Sequence, residues 1–139
     1  MLKHHNDTPL VPKRTVVLGS AGFIGQTLVN RLSAAGVNMV SLAKQDLDLE
    51  TPAAATQLTE LLHADDTLVF ISAKAPVRDV SMLAANLRMA ETVVAAVSRQ
   101  AVAHVIYVSS DAVYHDSTEP LTEDSPTAPG SLHGVMHLA

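Results

Sequence analysis

Three glycines at three-residue intervals are the first feature of the sequence that could do chemistry. They lie in residues 19–25 (GSAGFIG), between a short apolar run and a stretch with helical periodicity. In such a loop Gly19 lets the chain turn sharply, Gly22 lets the backbone approach a pyrophosphate, and Gly25 lets the helix pack closely on the sheet. The amino terminus of that helix offers free N–H groups and a partial positive charge to phosphate oxygens. The spacing therefore predicts a dinucleotide site; a tight turn that binds nothing is the alternative.

Two histidines four residues apart, His133 and His137, are the second such feature. A helix places residues with this spacing on one face, and imidazole exchanges a proton near neutral pH. The pair could act in acid–base chemistry, could bind a metal, or could have no catalytic role. Because no third ligand stands at a clear spacing, we predict no metal site.

The composition restricts the classes of protein that remain. The chain has 139 residues, 47% of them hydrophobic and 17% charged, which suits one compact domain with a real core. A net charge of −5 argues against a nucleic-acid partner, and the lack of cysteine excludes disulfides and thiolate metal sites. No apolar run of membrane-spanning length and no secretory signal are visible, so we predict a cytoplasmic protein without a membrane partner.

Short apolar runs alternate with stretches of helical periodicity along the chain. Strands are predicted at residues 15–18, 38–42, 67–71 and 104–109, with a very short extended piece at 46–49. Helices are predicted at residues 23–35, 51–62 and 80–100, followed by a loop at 116–130 and a helix starting at residue 131. The long helix carries one apolar stripe, formed by Val80, Leu83, Leu87, Ala90, Val94 and Val97. This alternation predicts a parallel sheet covered on both faces, preceded by a flexible leader over residues 1–13.

The glycine spacing and the segment VIYVSSDAVY at residues 105–114 resemble the extended short-chain dehydrogenase/reductase family of sugar-nucleotide epimerases, dehydratases and reductases. The resemblance covers residues 14–139. It implies an NAD(P)-binding domain with a Rossmann-type, doubly wound parallel sheet in three α/β/α layers. It also implies the strand order 3-2-1-4-5, with the cofactor over the carboxyl ends of the strands. Members of the family are much longer, so we expect a fragment with an incomplete sheet and no substrate lobe.

The resemblance also implies which residues contact the cofactor. Phe23 and Ile24 lie within the glycine loop, and Asp48 and Leu49 would lie near the adenine, as in dTDP-4-dehydrorhamnose reductases. Lys44 stands where many dinucleotide folds carry a carboxylate for the ribose 2′-hydroxyl, so it could meet a 2′-phosphate. We therefore expect NAD or NADP, with a slight preference for NADP; a solvated Lys44 is the alternative.

A third group of cofactor residues is expected beyond the next strand. Ser72 and Ala73 are small enough to leave room for the cofactor, and Lys74 could meet a phosphate or carboxylate of a ligand. Asn86 stands where the family carries an Asn in its long helix, which implies bonds to backbone groups that order the site. A surface Lys74 and an exposed Asn86 are the alternatives.

The catalytic residues are likewise implied by the resemblance. Ser110 matches the substrate-binding Ser or Thr of the family, and Ser109 is its neighbour, with a structural or cofactor-lining role. His133 and His137 stand where the family has its catalytic Tyr and Lys. Of the Asp-Glu pair of the dehydratases only Asp111 is present, so a full dehydratase mechanism is not expected.

The resemblance predicts an enzyme that oxidises, reduces or epimerises a nucleotide sugar by hydride transfer. The 139 residues by themselves are expected to be inactive, and the full-length protein could form a homodimer. A catalytically weak or inert NAD(P)-binding module, acting as a sensor or partner subunit, is the alternative, because both His133 and His137 depart from the family pattern.

Overall fold

The computed structural model describes residues 10–139, so most of the predicted leader over residues 1–13 lies outside the described residues. The strands are β1 (Arg14–Leu18), β2 (Met39–Leu42), β3 (Asp66–Phe70) and β4 (His104–Tyr107). The helices are α1 (Phe23–Ala34), α2 (Ala54–Leu61), α3 (Val80–Arg99) and α4 (Leu132–Leu138), and a short 3-10 turn spans Asp111–Val113. These elements match the predicted ones, with ends that differ by a few residues.

The four strands form one parallel sheet in the order β2-β1-β3-β4. Because β2 and β3 lie on opposite sides of β1, right-handed crossovers place α1 on one face of the sheet and α2 with α3 on the other. This arrangement confirms the predicted Rossmann-type, three-layer fold. The carboxyl ends of all four strands meet at one edge, above the point where the strand order reverses.

The prediction of a short strand at residues 46–49 is wrong. This segment was the outermost strand of the expected order 3-2-1-4-5, and that strand is not formed. The Asp46 carboxylate accepts a hydrogen bond from the Ala43 N–H at 2.8 Å, and the Asp48 carboxylate accepts one from Glu50 at 3.1 Å. Aspartates bonded to the nearby backbone favour turns over strand ladders. The segment instead folds inward, with Leu47 and Leu49 buried.

The core lies between the sheet and helices α2 and α3. Its buried side chains come from alternate strand positions and from the inner sides of both helices: Val16, Leu18, Leu68, Phe70, Leu58, Met89, Val93 and Ala96. The apolar stripe predicted for α3 is displaced from that inner side, since Val80 and Val94 are 71% and 61% exposed. Because α3 is apolar on more than one side, its periodicity does not identify the buried side.

Helix α3 is also long and apolar enough to cross a membrane, by length and composition alone. The sequence-based prediction concerned an uninterrupted apolar run, and Arg88 and Glu91 interrupt the apolar residues of this helix. Residues Ala85, Met89, Val93 and Ala96 are buried on its inner side. A helix that supplies part of a protein core has the same composition, and α3 supplies such a part here.

A buried ion pair ties the starts of β1 and β3 together. Arg14 donates from Nε to the Asp66 Oδ1 at 2.7 Å and from a terminal nitrogen to Oδ2 at 2.6 Å. The His63 N–H also donates to Oδ2, at 2.7 Å, and the Asp66 side chain is fully buried. Burial raises the pKa of Asp66, but the hydrogen bonds from Arg14 and His63 outweigh it, so the pKa lies below its ordinary value.

The outer strand β4 is the most exposed part of the sheet. Val105, Ile106 and Tyr107 are 43–46% exposed, although neighbouring residues of a strand point to opposite faces. Within residues 10–139 no strand pairs with the outer edge of β4. The described sheet therefore ends at an edge that carries exposed apolar side chains.

Candidate functional site

A cavity of about 670 Å³ opens at the carboxyl ends of the strands. It is lined by nearly all the residues that the sequence nominated: Gly19, Gly22, Phe23, Ile24, Lys44, Asp48, Leu49, Ser72, Ala73, Lys74, Ser109, Ser110, His133 and His137. Gly25 and Asn86 stand behind this lining. Residues more than 100 positions apart in the chain therefore meet at one site, as expected for parallel strands that end at a common edge.

The glycine loop turns the chain from β1 into α1, and its glycines carry no side chains that would cover the backbone. Gly19 has a φ of +92°, which favours glycine, and its N–H donates to the Leu42 carbonyl at 2.9 Å. Gly25 is buried against the Gly19 carbonyl, with no space for a side chain. A Cβ at Gly22 would meet only the Gly19 carbonyl oxygen, at 3.5 Å, so the cavity side of this residue is open. The loop thus has the sharp turn at Gly19, the close packing at Gly25 and the open approach at Gly22 that the glycine spacing predicts.

The amino terminus of α1 points its unpaired donors at the cavity. Gly22 is the N-cap residue, and no side chain of the described residues caps the helix or brings a negative charge to its first turn. The first N–H groups are therefore available to an anion. Phe23 is 91% exposed and Ile24 53% exposed, so their side chains contribute apolar surface at the mouth of the cavity.

A network of two lysines and two carboxylates occupies the side of the cavity next to β2. Lys44 Nζ lies 3.5 Å from a carboxylate oxygen of Asp48 and 3.5 Å from one of Glu50. Lys74 Nζ donates to Glu50, with nitrogen–oxygen distances of 2.7 and 2.9 Å. The hydrogen bond from Lys74 holds the pKa of Glu50 below its ordinary value, so the carboxylate is charged at neutral pH.

Glu50 is a residue of this site that the sequence reasoning missed. It lies 24 residues before Lys74, and only the turn at residues 46–50 brings the two together. A carboxylate directly after the Asp-Leu-Asp-Leu piece was the available signal. The finding changes the interpretation of Lys44, because the carboxylates of Asp48 and Glu50 balance its charge within the protein.

Asn86 fastens the loop after β3 to helix α3. Its side chain accepts a hydrogen bond from the Lys74 N–H at 2.8 Å and donates to the Lys74 carbonyl at 3.1 Å. It also donates to the Met82 carbonyl at 2.9 Å. The predicted bonds to backbone groups are thus present, and the buried amide fixes the cavity wall that contains Lys74. The alternative of an exposed helix Asn is wrong, since Asn86 is 5% exposed.

The Ser110 hydroxyl lies at the start of the short turn after β4. It accepts from the Ala112 N–H at 3.2 Å and donates to the Asp111 carboxylate at 3.1 Å. Ser109 and Ser110 both line the cavity. In this state the hydroxyl can still accept a hydrogen bond from a ligand hydroxyl, and rotation of its O–H away from Asp111 would let it donate to a ligand carbonyl oxygen.

His133 and His137 lie on the cavity side of α4, with their ring centroids 4.8 Å apart. The helix begins at Ser131, whose hydroxyl accepts from the Gly134 N–H at 3.1 Å. His137 Nδ1 lies 2.8 Å from the phenol oxygen of Tyr107, a contact that the sequence reasoning missed. Burial, with the neighbouring His133, lowers the pKa of His137, so its imidazole is neutral at neutral pH. His133 Nδ1 is buried, and no group of the described residues bonds to it.

A second cluster, His63, Asp65 and Asp66, has atoms close enough to surround a metal ion. It lies at the start of β3, at the opposite edge of the sheet from the cavity. Arg14 and the His63 N–H already donate to both oxygens of Asp66. An arginine held against a carboxylate makes it a poor metal ligand, so this cluster serves the fold.

The parallel sheet, with a cavity at the carboxyl ends of its strands, defines a Rossmann-type α/β domain. The sequence model of the NAD dependent epimerase/dehydratase family matches residues 15–139. The chain therefore belongs to this family, as its glycine loop and its β4 segment predict.

Individual relatives agree with that assignment. The dTDP-6-deoxy-L-talose 4-dehydrogenase (NAD(P)(+)) of Kitasatospora kifunensis is 29% identical over 146 aligned positions, covering 92% of this chain and 45% of the relative. The UDP-N-acetylglucosamine 4-epimerase of Bacillus cereus superposes with a TM-score of 0.76 at 21% identity, covering 90% of this chain and 47% of that one. A GDP-L-fucose synthetase of Naegleria fowleri, bound to NADP, gives 0.78 at 17% identity, covering 99% and 46%. The chain thus spans less than half the length of these relatives.

Proposed function

We propose that this chain forms the cofactor-binding part of an NAD(P)-dependent enzyme that oxidises, reduces or epimerises a nucleotide sugar. The observation that carries the proposal is the cavity in which the bare glycine loop, the Ser110 hydroxyl and both α4 histidines meet. Membership of the epimerase/dehydratase family supports it. The Kitasatospora relative, named for a dTDP-sugar and for NAD(P)(+), points to the same substrate class and cofactor.

The residues present fit a nicotinamide dinucleotide. The open side of Gly22 and the free N–H groups of α1 form a cradle for a pyrophosphate, which a side chain at Gly22 would fill. The bound nicotinamide would accept or return a hydride. Ser110 would hold the reacting oxygen of the sugar, and the His133 imidazole would donate or accept its proton.

The second candidate function is an NAD(P)-binding module with little or no turnover. It is favoured by His133, whose Nδ1 is buried without a partner among the described residues. A general base works best when a second group orients it, and nothing in residues 10–139 orients this ring through Nδ1. Both candidates require dinucleotide binding; turnover of a nucleotide sugar distinguishes them.

We propose NADP as the slightly preferred cofactor, as the lysine after β2 suggests. Lys44 is 69% exposed and able to reach a 2′-phosphate. The carboxylates of Asp48 and Glu50 oppose this preference, because they balance the lysine charge and would repel a phosphate. Only a small difference in affinity between NADPH and NADH is therefore expected.

The test is a fluorescence titration of the chain with NADH and NADPH, followed by incubation of the full-length protein and its cofactor with dTDP-, UDP- and GDP-sugars. The diagnostic variant is Gly22→Val, because its side chain would fill the pyrophosphate cradle while its φ of −73° suits any residue. The matched control is Gly130→Val in the loop after β4, where an added Cβ meets only the Asp116 carboxylate at 3.7 Å.

We expect Gly22→Val to lose binding and Gly130→Val to keep it, with both variants unfolding at the temperature of the parent chain. Failure of a folded parent chain to bind either dinucleotide would refute both candidate functions. Because the 139 residues alone are expected to be inactive, binding without turnover would favour the inert module only when it is measured on the full-length protein. Tighter binding of NADH would contradict the preference for NADP.

A further inference from the structure

Tyr107, the last residue of β4, joins the sheet to the cavity helix α4. Its ring packs against Phe70, with the centroids 5.5 Å apart, and against His137, with the centroids 5.8 Å apart. Its phenol oxygen lies 2.8 Å from His137 Nδ1 and 3.9 Å from the sulfur of Met136. His137 lines the cavity, so Tyr107 touches the site through this ring.

The direction of the hydrogen bond follows from the groups around the phenol. Burial raises the pKa of Tyr107 and lowers that of His137, so both groups are neutral at neutral pH. Among residues 10–139 the phenol hydrogen has two acceptors within reach, and an imidazole nitrogen at 2.8 Å is a far stronger acceptor than a thioether sulfur at 3.9 Å. Tyr107 therefore donates to Nδ1. The proton of the neutral imidazole must then be on Nε2.

We propose that Tyr107 is a positioning residue that holds His137 in the Nε2–H tautomer, so that the Nε2–H donates to the dinucleotide bound in the cavity. With Nδ1 occupied, Nε2 is the one polar atom that this ring can offer to a ligand in the cavity. A neutral donor suits an uncharged oxygen of the dinucleotide, whereas the amino terminus of α1 and the side chains of Lys44 and Lys74 would bind its phosphates. The inference rests on the proposed dinucleotide function and deepens it.

The tautomer is measured directly by long-range ¹H–¹⁵N correlation spectra of the ¹⁵N-labelled chain. We expect an unprotonated Nδ1 and a protonated Nε2 at His137. Tyr107→Phe removes only the hydroxyl and keeps the ring against Phe70, so the fold should be unchanged by circular dichroism. In this variant the His137 signals should shift toward the other tautomer. Tyr114→Phe, at the remaining tyrosine of the chain, should leave them as in the parent.

The role toward the dinucleotide is tested by NADH affinity in a double-mutant cycle. Loss of one neutral hydrogen bond corresponds to about three- to tenfold weaker binding, which we expect for both Tyr107→Phe and His137→Ala. Because Tyr107 acts through His137, the double variant should bind no more weakly than His137→Ala alone. Tyr114→Phe should bind like the parent.

Four results would overturn the inference. An Nδ1–H tautomer in the parent chain, or an unchanged tautomer in Tyr107→Phe, would refute the positioning role and leave the proposed function standing. Additive losses in the double variant would show that Tyr107 affects binding independently of His137. A folded parent chain that does not bind NADH would refute the proposed function and, with it, the donation from His137 to the dinucleotide.

Discussion

Among substitutions that remove one charge and conserve the volume of the side chain, Asp66→Asn should destabilise this domain most. The substitution removes the carboxylate that accepts three hydrogen bonds, two from Arg14 and one from the His63 N–H. It leaves the Arg14 guanidinium, whose side chain is only 17% exposed, without its counterion. Breaking a buried pair by removing one partner costs about 3–5 kcal/mol. Asn keeps one acceptor oxygen, so we expect the lower end, about 3 kcal/mol.

This loss is large against the total stability of such a domain, which is about 5–15 kcal/mol. It corresponds to a fall in the midpoint of thermal unfolding of about 10 °C. The measurement is urea and thermal unfolding followed by circular dichroism. The control is Asp65→Asn one position earlier, where the carboxylate is 52% exposed and its Lys13 partner, at 3.4 Å, is 78% exposed. A surface pair of this kind contributes under about 1 kcal/mol.

The pH dependence provides a second, independent check on Asp66. Its pKa in the folded chain lies below its ordinary value, so its carboxylate stabilises the fold above the unfolded-state pKa. That stability is lost as the pH falls through the folded-state pKa. The gap between the parent chain and Asp66→Asn should therefore be widest near neutral pH and narrow on acidification. Equal stabilities of Asp65→Asn and Asp66→Asn, or a gap that widens in acid, would refute the reasoning.

Two further predictions concern a buried hydroxyl and the charge network. Thr15 is 3% exposed, and its Oγ1 has no partner among the described residues, so Thr15→Val should raise the free energy of unfolding in urea by about 1 kcal/mol. A decrease would mean that the hydroxyl is satisfied. Glu50→Gln removes the carboxylate shared by Lys44 and Lys74, so affinity for NADPH relative to NADH should rise about fivefold in a fluorescence titration. Glu60→Gln on the exposed side of α2 is the control, and an equal ratio in the two variants would contradict the assignment.

The sheet and the cavity lining were largely predictable because their signals are local. The glycine spacing at residues 19–25 defines a turn between strand and helix, and β-branched runs such as 15–18 define buried strands. Once parallel strands are expected, residues just after each strand must share one edge. This is why Ser72 and Ser110, from different strands, could be assigned to one site.

The contacts that tune the cavity were not predictable, because they join segments far apart in sequence. The Tyr107 phenol meets His137 across 30 residues, and Glu50 meets Lys74 across 24. Neither pair has a fixed spacing that a single sequence would reveal. The strand expected at residues 46–49 failed for a local reason, since aspartate side chains compete for backbone N–H groups. Dimerisation and a cytoplasmic location stay predictions.

The open edge of β4 has a consequence for how the protein behaves in a concentrated solution. A net charge of −5 makes molecules of this chain repel one another at a distance. At contact, the outer backbone groups of β4, which pair with no strand of residues 10–139, and the apolar side chains of residues 105–107 form a template for a strand from another molecule. Salt screens the repulsion and leaves this attraction in place. Colloidal stability should therefore be governed by four residues at one edge of the sheet more than by the overall charge.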